Sequence, residues 1–519
     1  MPASRKIVTA AEMLEIEERW FASGEITLDA LMDRVGKAIA EWVLTDLGKR
    51  ARKSHVLALV GKGNNGGDAI VAAKYLHAAS IDVTIATVLP RNHGDPLIID
   101  FTAAGGTVVE LSGGASASVL SNLCDKTDLI LDGVFGFSIS RPIEEPIASL
   151  LRVAKSSGKK VVAIDVPSGA NPDCGTFDPN GLPADVCLPV GLHKLGSATR
   201  FGDPRYGDRI EVLNVGMPGD LPSHIRREVN DLDLARSLLP DRSKTGHKGD
   251  FGRALMYAGS SSYVGAAELA AQACARSGVG LVAVATPDSV FEAIAGNVPE
   301  ATYIPLNEDI NGVLPGPAYS VLEERIPAMD SVLIGVGISL SYGVRALLER
   351  LASDRELWND CTVVLDADGL TLASSIDRWW EVFDGDLIIT PHPGEMSRLL
   401  GISIDEVQAD RVAAAETAAQ RFNSVCVLKG ATTLIASPDG RMRVNMQPNN
   451  ALARGGTGDV LAGLITGLAA KSDPFDAASL GVFIHSISSR YASEDLTPYA
   501  MTASDLINYL PRAFRELAS

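Results

Sequence analysis

The sequence predicts an α/β protein of two domains. Three observations support this class: short runs rich in Val, Ile and Leu alternate with helical periodicity, glycine-rich turns stand before two of the helical segments, and 519 residues, 46% of them apolar, can bury two substantial cores. Strands that alternate with helices favour a parallel sheet covered by helices. We therefore expect one such sheet in each half of the chain.

The first half opens on helical periodicity and continues with strands. The pattern predicts helices over 10–22, where Leu14 and Trp20 stand among polar residues, and over 28–47. The next elements are predicted as strands at 55–60, 82–88, 129–131 and 161–164, with a helix at 68–79.

The second half repeats this pattern after a polar stretch. Residues 216–248 are rich in Pro, Asp, Arg and Ser with little periodicity, which places the boundary within 218–242 and the domains at 1–225 and 226–519. The predicted strands that follow are 253–257, 280–285, 332–335, 363–365, 387–389 and 425–428. Ser437-Pro438-Asp439-Gly440 predicts a hairpin turn between 433–436 and 441–444.

Charge and composition exclude several classes of partner. The formal charge of -18 repels nucleic-acid phosphate and anionic lipid, so we expect neither a nucleic acid nor a membrane as partner. No uncharged apolar run of 18 residues is present, and residues 1–6 lack the apolar segment of a signal peptide, so the expected location is the cytoplasm. The six cysteines are scattered without CxxC spacing, which favours reduced thiols.

The most informative motif is the glycine turn that precedes an apolar helix at 449–467. Gly455, Gly456 and Gly458 let the backbone approach a ligand, and the free N–H groups of a helix start bind phosphate. Asp459 stands inside this turn, where it could take a proton from, or direct, a substrate hydroxyl beside the phosphate. An ordinary N-terminal helix cap would use the same residue types.

A second glycine turn, Gly61-Lys62-Gly63-Asn64-Asn65-Gly66-Gly67-Asp68, lies between a predicted strand and helix. It satisfies GxGxxG literally, but the second strand ends at Val88-Leu89-Pro90 without the acid of a Rossmann dinucleotide site, and no Walker A lysine follows. Amide oxygens, carboxylates and carbonyls suit a hard cation, and the glycines would let a dinucleotide approach.

Two further acids follow predicted strands of the same half. Asp132 comes after 129–131, and Asp165 comes after 161–164. Because an open parallel sheet binds ligands beyond the carboxyl ends of its strands, we expect both to meet Asp68 at one crevice. Any one of these acids alone could be a helix cap.

The motifs of the first half resemble the NAD(P)H-hydrate epimerase family. The resemblance rests on 61–68, on 132–142 and on Asp165-Val166-Pro167-Ser168-Gly169, and residues 10–48 are similar to the N-terminal helices of that family. The family implies a Rossmann-like three-layer α/β/α fold for this domain.

The second half resembles the ADP-dependent NAD(P)H-hydrate dehydratases. The matching segments are 248–253, 265–267, 391–396, 429–433, 455–459 and 502–506. This resemblance implies a ribokinase-like α/β fold and, with the first half, a fused bifunctional repair enzyme.

The resemblance also implies the chemistry. Water added at C6 of a reduced nicotinamide ring gives two epimers, the substrates NADHX and NADPHX. The first domain would interconvert the R and S epimers with K+ as cofactor. The second would dehydrate the S epimer with Mg2+ and with ADP as co-substrate, releasing AMP and phosphate. Both folds commonly oligomerise, so a homo-oligomer is expected.

Carried over position by position, the resemblance assigns site residues in both domains. In the first domain it gives substrate-binding Asn64, Asn65, Gly66, Gly67, Asp68, Gly136 and Asp165, and the potassium ligands Asn65, Asp132 and Ser168. In the second it gives nucleotide-binding Lys429, Gly430, Ala431, Thr432, Thr433 and Gly458, and substrate-binding Ala267, Gly337, His392 and Asp459. The expected catalytic residues are Asp165 and Asp459, each an acid able to move a proton at C6 or its hydroxyl.

Some positions depart from the family patterns. Ala69 stands where the epimerases usually have Gly, and Gly136-Phe137-Ser138 replaces Gly-Thr-Gly, so that Phe137 would either narrow the substrate pocket or alter the activity. In the second half, 335–339 reads Gly-Val-Gly-Ile-Ser for the usual G-P-G-L-G, and Thr371 replaces Asn.

Two other functions fit parts of the sequence. A ribokinase-type small-molecule kinase would explain the second domain, with the first as a non-catalytic dinucleotide-binding module. Alternatively, only the dehydratase would be active. Asp366 and Asp368 could contact Mg2+ through water or cap the segment that follows. The residues His55, His77, His93, His224 and His485 show no metal-ligand spacing and are expected to be ordinary surface or packed histidines.

Overall fold

The computed structural model describes residues 5–92, 94–111, 115–137, 141–309, 312–383 and 386–519. They form two compact units, Met1–Val229 and Asn230–Ser519, each with its own sheet. His93 and Ser138, both considered in the sequence, lie outside the described residues. In the part of the chain that the structure describes, no helix is both long and apolar enough to span a membrane.

The first unit alternates strands and helices. Its helices are α1 (Ala10–Ala22), α2 (Leu28–Leu47), α3 (Asn64–Ala78), α4 (Pro96–Ala103), α5 (Ser116–Asp125), α6 (Ile147–Ser156) and α7 (Leu195–Thr199). Its strands are β1 (Ile7–Val8), β2 (His55–Val60), β3 (Asp82–Thr87), β4 (Thr107–Glu110), β5 (Leu129–Gly133), β6 (Lys160–Ile164), β7 (Val186–Leu188), β8 (His193–Lys194), β9 (Arg209–Ile210) and, at its end, β10 (Arg227–Val229).

The sheet of this unit is parallel and has helices on both faces. Its order is β4-β3-β2-β5-β6-β7-β9, with parallel pairing throughout. Along β2, Val56 and Val60 join one core and Leu57 and Leu59 join the other, so the strand is buried on both sides. Because the chain moves from β4 to β5 on the far side of β2, a crevice forms where β2 and β5 end. The predicted three-layer fold is confirmed.

Two predicted boundaries in this unit are wrong by more than one residue, and both corrections affect the site. Helix α3 begins at Asn64 rather than Asp68, because Gly63 takes the extended N-cap conformation and its carbonyl already accepts a hydrogen bond from Gly67 N–H at 3.1 Å. Strand β5 continues to Gly133, so Asp132 lies within the strand. The helices predicted at 10–22 and 28–47 have those bounds in the structure.

The second unit carries a larger set of elements. Its helices are α8 (Leu232–Leu238), α9 (Val264–Arg276), α10 (Asp288–Ile294), α11 (Pro315–Arg325), α12 (Tyr342–Leu351), α13 (Asp368–Ala373), α14 (Pro393–Leu400), α15 (Ile404–Ala409), α16 (Arg411–Arg421), α17 (Thr457–Ala469), α18 (Pro474–Ala500) and α19 (Ala503–Ala518). Its strands are β11 (Arg253–Tyr257), β12 (Leu281–Pro287), β13 (Thr302–Leu306), β14 (Glu308–Asp309), β15 (Gly312–Val313), β16 (Ser331–Ile334), β17 (Thr362–Leu365), β18 (Leu387–Ile389), β19 (Val425–Leu428), β20 (Thr433–Ala436) and β21 (Met442–Asn445).

The main sheet of the second unit is mixed. Strands β13-β12-β11-β16-β17-β18-β19 are parallel, and β20 and β21 extend the sheet in antiparallel fashion. The predicted turn between β20 and β21 is present, with Gly440 N–H donating to the Ser437 carbonyl at 3.0 Å. The stretch 216–248 is more ordered than predicted, because β10 and α8 lie within it and Asp231 caps α8.

Helix α17 lies in the centre of the second core. It packs closely on α9, since a Cβ on Gly463 would lie 2.2 Å from the Ala270 carbonyl oxygen and one on Gly467 would lie 2.0 Å from Ser277 Oγ. All its residues from Val460 to Ala469 are buried. Tight packing along its length fixes the position of its first turn, which carries Asp459.

Candidate active sites

A cavity of about 330 Å³ lies in the first unit, and its walls include the segments that follow β2, β5 and β6. The predicted residues that line it are Asn64, Asn65, Asp68, Gly136 and Asp165. Gly66 and Gly67 instead serve close packing behind the wall: a Cβ on Gly66 would lie 2.2 Å from the Gly61 carbonyl oxygen, and one on Gly67 would lie 2.7 Å from the Met32 side chain. Five of the residues predicted from the sequence therefore line this cavity, while Gly66 and Gly67 allow the close packing behind its wall.

The start of α3 forms one wall of the cavity. Its N-cap, Gly63, supplies no side-chain cap to the first turn. Arg91 supports the turn by donating to the carbonyls of Gly61 (2.7 Å) and Gly63 (3.3 Å), while Asp95 pairs with its Nε at 2.6 Å. A helix start held in this way suits an anionic ligand such as a dinucleotide phosphate.

The three predicted potassium ligands meet at the loop after β5. The Ser168 hydroxyl donates to Asp132 Oδ1 at 2.6 Å and the Ser168 N–H donates to Oδ2 at 2.8 Å. Asn65 Nδ2 donates to the Phe135 carbonyl at 2.9 Å, which turns the amide toward the same loop. Burial raises the pKa of Asp132 to about 6, although its bonds from Ser168 oppose the rise. A buried carboxylate among oxygen atoms suits a hard monovalent cation, which would favour its ionised form.

Asp165 lies beyond the end of β6 in a strained conformation. Its φ is 67°, a left-handed value that non-glycine residues seldom adopt. Its Oδ1 accepts from Lys194 Nζ at 2.6 Å and from Val190 N–H at 3.0 Å. Its Oδ2 is buried and has no hydrogen-bond partner among the described residues, so an acceptor at the cavity wall is left for a ligand.

The sequence did not identify two charged residues beside Asp165. Lys194 is fully buried, and its ammonium also donates to the carbonyls of Val190 and Leu192. Glu17, on α1, lines the cavity. A signal for Glu17 was present, because it shares the spacing of the buried residues Met13, Ile16 and Trp20 on the apolar face of α1.

Phe137 and Ala69 have definite packing roles. Phe137 lines the cavity, packs on the small core that contains Val8, and its ring centroid lies 5.7 Å from Lys194 Nζ. The methyl group of Ala69 lies only 2.6 Å from where a Cβ on Gly133 would stand, so the two residues are complementary in size. That Phe137 narrows the pocket for substrate stays a prediction.

The second site forms around the first turn of α17. Gly456 is the N-cap with a φ of 89°, and the Thr457 hydroxyl donates to the Leu452 and Arg454 carbonyls, both at 2.9 Å. The buried His485 ring bonds the Thr457 carbonyl through Nε2 at 2.9 Å. Burial and the nearby charge of Asp366 raise the pKa of Asp459 to about 6, despite the opposing charge of Lys429.

Lys429 joins this turn to the end of β17. Its ammonium donates to Asp366 Oδ1 at 2.7 Å and lies 3.8 Å from Glu395 Oε2. Burial lowers the pKa of Lys429, but the charges of Asp366 and Glu395 outweigh burial and the net change is upward. A Cβ on Gly458 would lie 3.8 Å from Lys429 Nζ. The structure thus brings the predicted nucleotide residues 429 and 458 together.

A buried arginine that the sequence did not identify supports the loop after β19. One guanidinium nitrogen of Arg411 donates to the carbonyls of Leu428 (3.2 Å), Lys429 (3.2 Å) and Thr432 (3.1 Å). A Cβ on Gly430 would lie 2.5 Å from that nitrogen, so a larger residue at position 430 would displace the Arg411 guanidinium from these carbonyls. Within the predicted segment, Ala431 is exposed, Thr432 is buried, and Thr433 is half-buried with its hydroxyl donating to the Gly430 carbonyl.

The predicted substrate contacts of the second unit differ in accessibility. Gly337 has a φ of 65° and approaches α9, where a Cβ would lie 2.8 Å from Ala266 Cβ. Ala267 is fully buried, backbone and methyl group alike. His392 Nδ1 accepts from the Gly394 N–H at 2.9 Å and caps α14, while its Nε2 lies 3.4 Å from Glu395 Oε1. Burial and Lys429 lower the pKa of His392, which favours its neutral form.

The structure shows whether Asp366 and Asp368 cap the helix that follows them. Asp366 pairs with Lys429, and Asp368 Oδ2 accepts from Ser339 N–H at 2.9 Å. The N-cap of α13 is Ala367, which has no side-chain cap bond, so the capping interpretation of the two acids is wrong. Within the described ranges, no group of three or more His, Cys, Asp or Glu side chains forms a metal-binding cluster.

The space around Gly458 permits a selective test of nucleotide binding. We expect Gly458→Ala to leave the stability of the protein unchanged or slightly raised, because a methyl group there makes only ordinary contacts and alanine favours a helix. The same methyl group would obstruct a phosphate beside Lys429, so the KM for ADP should rise by about tenfold or more. Steady-state kinetics and thermal unfolding measure both effects.

The matched control is Gly316→Ala. Gly316 also occupies the second position of a helix, α11, and has open space around it. The Gly316→Ala variant should therefore leave the KM for ADP unchanged. Equal KM values for wild type and Gly458→Ala would contradict the placement of the nucleotide at this turn.

Fold and sites together define a class of enzyme. The first unit has a parallel sheet with an acid-lined cavity at its switch point, and the second unit has a mixed sheet with a carboxylate in an anion-binding helix turn. Such a protein is a two-domain α/β enzyme that acts on phosphate-bearing cofactors and nucleotides.

Comparison with known proteins identifies the family. Residues 254–512 match the family model described as NAD(P)H-hydrate dehydratase, and residues 28–196 match the one described as YjeF-related protein N-terminus. The bifunctional NAD(P)H-hydrate repair enzyme Nnr of Thermofilum pendens is 32% identical over 519 residues, covering 99% of this chain and 97% of that protein. The corresponding enzyme of Moorella thermoacetica is 33% identical over 520 residues, covering 98% and 97%. The chain belongs to the family of bifunctional NAD(P)H-hydrate repair enzymes.

One solved structure is similar to part of this chain. It is an ADP/ATP-dependent NAD(P)H-hydrate dehydratase from Bacillus subtilis, co-crystallised with ATP and Mg2+, with 32% identity and a TM-score of 0.48. The match covers 56% of this chain and 98% of the Bacillus chain. The family, the two α/β folds and the bifunctional epimerase and dehydratase class predicted from the sequence are confirmed.

Proposed function

We propose that the first unit interconverts the R and S epimers of NADHX and NADPHX, and that the second unit converts the S epimer to NADH or NADPH. The second reaction uses ADP and releases AMP and phosphate. The observation that carries this proposal is the presence, in one chain, of two separate sites, each with a carboxylate withdrawn from solvent. Asp165 is buried with an unpaired oxygen, and Asp459 is half-buried at a helix start beside Lys429.

In the second unit Asp459 activates the substrate hydroxyl. It takes the proton of the C6 hydroxyl, whose oxygen then attacks the β-phosphorus of ADP while the bond to AMP breaks. The C6 phosphate leaves with the former hydroxyl oxygen, C5 loses a proton, and the ring double bond forms. Atoms balance, because the oxygen removed from the cofactor ends in the released phosphate.

The charges around Asp459 assist the transfer. Lys429 lies beside Gly458 at the helix start and would hold the nucleotide phosphates. Asp366 and Asp368 would hold Mg2+ through water molecules. The ion would there neutralise charge on the transferred phosphoryl group.

In the first unit Asp165 moves a proton at the C6 hydroxyl. Loss of that hydroxyl as water lets the N1 lone pair form a planar iminium, and water returning to either face gives either epimer. K+ would be held by oxygen atoms of Asn65, Asp132 and Ser168, which surround the loop that borders the cavity. Fusion of the two activities makes both epimers available to a stereospecific dehydratase.

We also propose that the protein forms a homo-oligomer, which light scattering tests.

Dehydration should depend on pH through Asp459. As the general base it must be ionised, and its pKa is about 6. We therefore expect kcat/KM for the S epimer to be constant above neutrality and to fall about tenfold per pH unit below about 6. Initial rates at saturating ADP give the profile, and a rate that stays constant down to about pH 5 would contradict the assignment.

The decisive experiment follows NADH absorbance together with AMP and phosphate. Full-length protein is incubated with a mixture of R and S NADHX, ADP, Mg2+ and K+. Recovery of NADH from both epimers, faster than their spontaneous interconversion, supports the proposal. Recovery from the S epimer alone would mean a dehydratase with a silent first unit. Absence of nucleotide-dependent recovery would favour a small-molecule kinase.

A further inference from the structure

Glu17 is an acidic residue on the buried face of a helix. In α1 the residues Met13, Ile16 and Trp20 are buried, and Glu17 shares their side of the helix. Glu17 is half-buried, whereas its neighbour Glu18 is exposed, and it lines the cavity of the first unit. A carboxylate withdrawn from water lowers the stability of the fold unless it is paired with a cation or takes part in function.

The surroundings of Glu17 favour its neutral form. Burial raises the pKa of Glu17 to about 7, with Lys194 opposing the rise and Asp165 adding to it. Asp68 shares the cavity, and burial together with the charges of Asp165 and Glu17 raises its pKa well above the usual range. The charged groups that face Glu17 are Asp68 from α3, Asp165 after β6 and Lys194 of β8, and Lys62 and Arg141 also line the cavity.

Inversion at C6 needs proton transfer on both faces of the ring. The hydroxyl leaves from one face as water, which requires a proton donor there. Water then enters from the other face and must lose a proton. Asp165 cannot serve both faces by moving, because Lys194 and Val190 hold its Oδ1 in place.

We propose that Glu17 is the second proton-transfer residue of the epimerisation, working from α1 on the ring face opposite to Asp165. This inference rests on the proposed epimerase activity of the first unit. It assigns a catalytic role to a residue outside the glycine turn and outside the strand ends.

The steps balance in atoms and charge. The Glu17 carboxylic acid gives its proton to the C6 hydroxyl that faces it, the C6–O bond breaks with its electron pair on the departing water, and N1=C6 forms. Water then adds to the other face, its oxygen bonds to C6, and the Asp165 carboxylate takes the released proton. Proton exchange with solvent restores both side chains. The reverse reaction begins from protonated Asp165 and ionised Glu17.

The test compares Glu17→Gln with Glu18→Gln in the full-length protein. Purified R NADHX is incubated with K+ but without ADP, so that the second unit is idle, and the epimers are separated chromatographically. Glu17→Gln should lower kcat about 100-fold with KM for the hydrate changed less than about threefold, and Glu18→Gln should match wild type. Glu17→Asp should recover part of the rate because it keeps the acid.

Two further measurements exclude a merely structural role. For the purified epimer whose hydroxyl faces Glu17, wild-type kcat should fall above about pH 7, where Glu17 ionises, and Glu17→Gln should lack that fall. In H2(18)O, label should enter C6 in step with inversion. Unchanged kcat in Glu17→Gln, an unchanged pH profile, or inversion without label would overturn the proposal. A wild type that does not epimerise would overturn the epimerase assignment itself, which separates the two failures.

Discussion

Replacement of Asp459 by Asn should lower kcat for ADP-dependent dehydration about 10²- to 10⁴-fold, the usual contribution of a general base. The amide keeps the shape of the side chain but cannot take the proton of the C6 hydroxyl. We expect KM for ADP to change little, because Lys429 and the helix start remain in place. NADH formation from the purified S epimer measures the loss.

Stability and a control variant make this test specific. The raised pKa of Asp459 means that its ionised form disfavours the folded state, a penalty that grows as pH rises from the usual carboxyl range to about 6. Asp459→Asn removes that penalty, so its Tm at neutral pH should equal or exceed that of wild type. Asp405→Asn, an exposed acid in the first turn of α15, should keep full activity. Dehydration by Asp459→Asn at more than about a tenth of the wild-type rate would rule out the general-base role.

Replacement of Asp165 by Asn should have a comparable effect on the other reaction. Interconversion of R and S NADHX should slow about 10²- to 10⁴-fold, while dehydration of purified S NADHX should continue at the wild-type rate. Asparagine tolerates the left-handed backbone at this position, so the local conformation is preserved. Chromatography of the epimers without ADP, alongside NADH formation with ADP, separates the two outcomes.

The buried partner of Asp165 needs its own control. Asp165→Asn leaves the Lys194 ammonium buried without a carboxylate, which typically costs about 3–5 kcal/mol. The double variant Asp165→Asn with Lys194→Met removes both charges and should recover much of that stability without recovering epimerisation. If the double variant regained the epimerase rate, the single variant would have failed through unfolding and Asp165 would not be catalytic.

Local sequence patterns predicted much of the fold. Apolar periodicity gave the bounds of α1 and α2, and the buried runs at 55–60, 253–257 and 425–428 are β2, β11 and β19. The start of α3 was missed because Asn and Gly are poor helix formers when judged alone. In the folded unit, packing against α2 outweighs that preference, since Gly67 lies directly against Met32.

Some residues of the candidate sites could likewise be predicted from the sequence, and others could not. The acids at strand ends and the two glycine turns could be found because strand topology places such positions at one edge of a sheet. Arg411 could not be found, since an arginine at the start of a polar helix is usually solvated, and only the fold turns it beneath the loop after β19.

Residue types at short spacing were enough to predict the family, the order of the two α/β folds, and the turns where the backbone must come close to a ligand. Which charges face each other inside the protein could be read only from the folded chain. Lys194 lies 29 residues from Asp165, and Lys429 lies 63 residues from Asp366. Such pairs form when packing removes both partners from water, and the strength of their interaction depends on a distance that the order of residues does not encode.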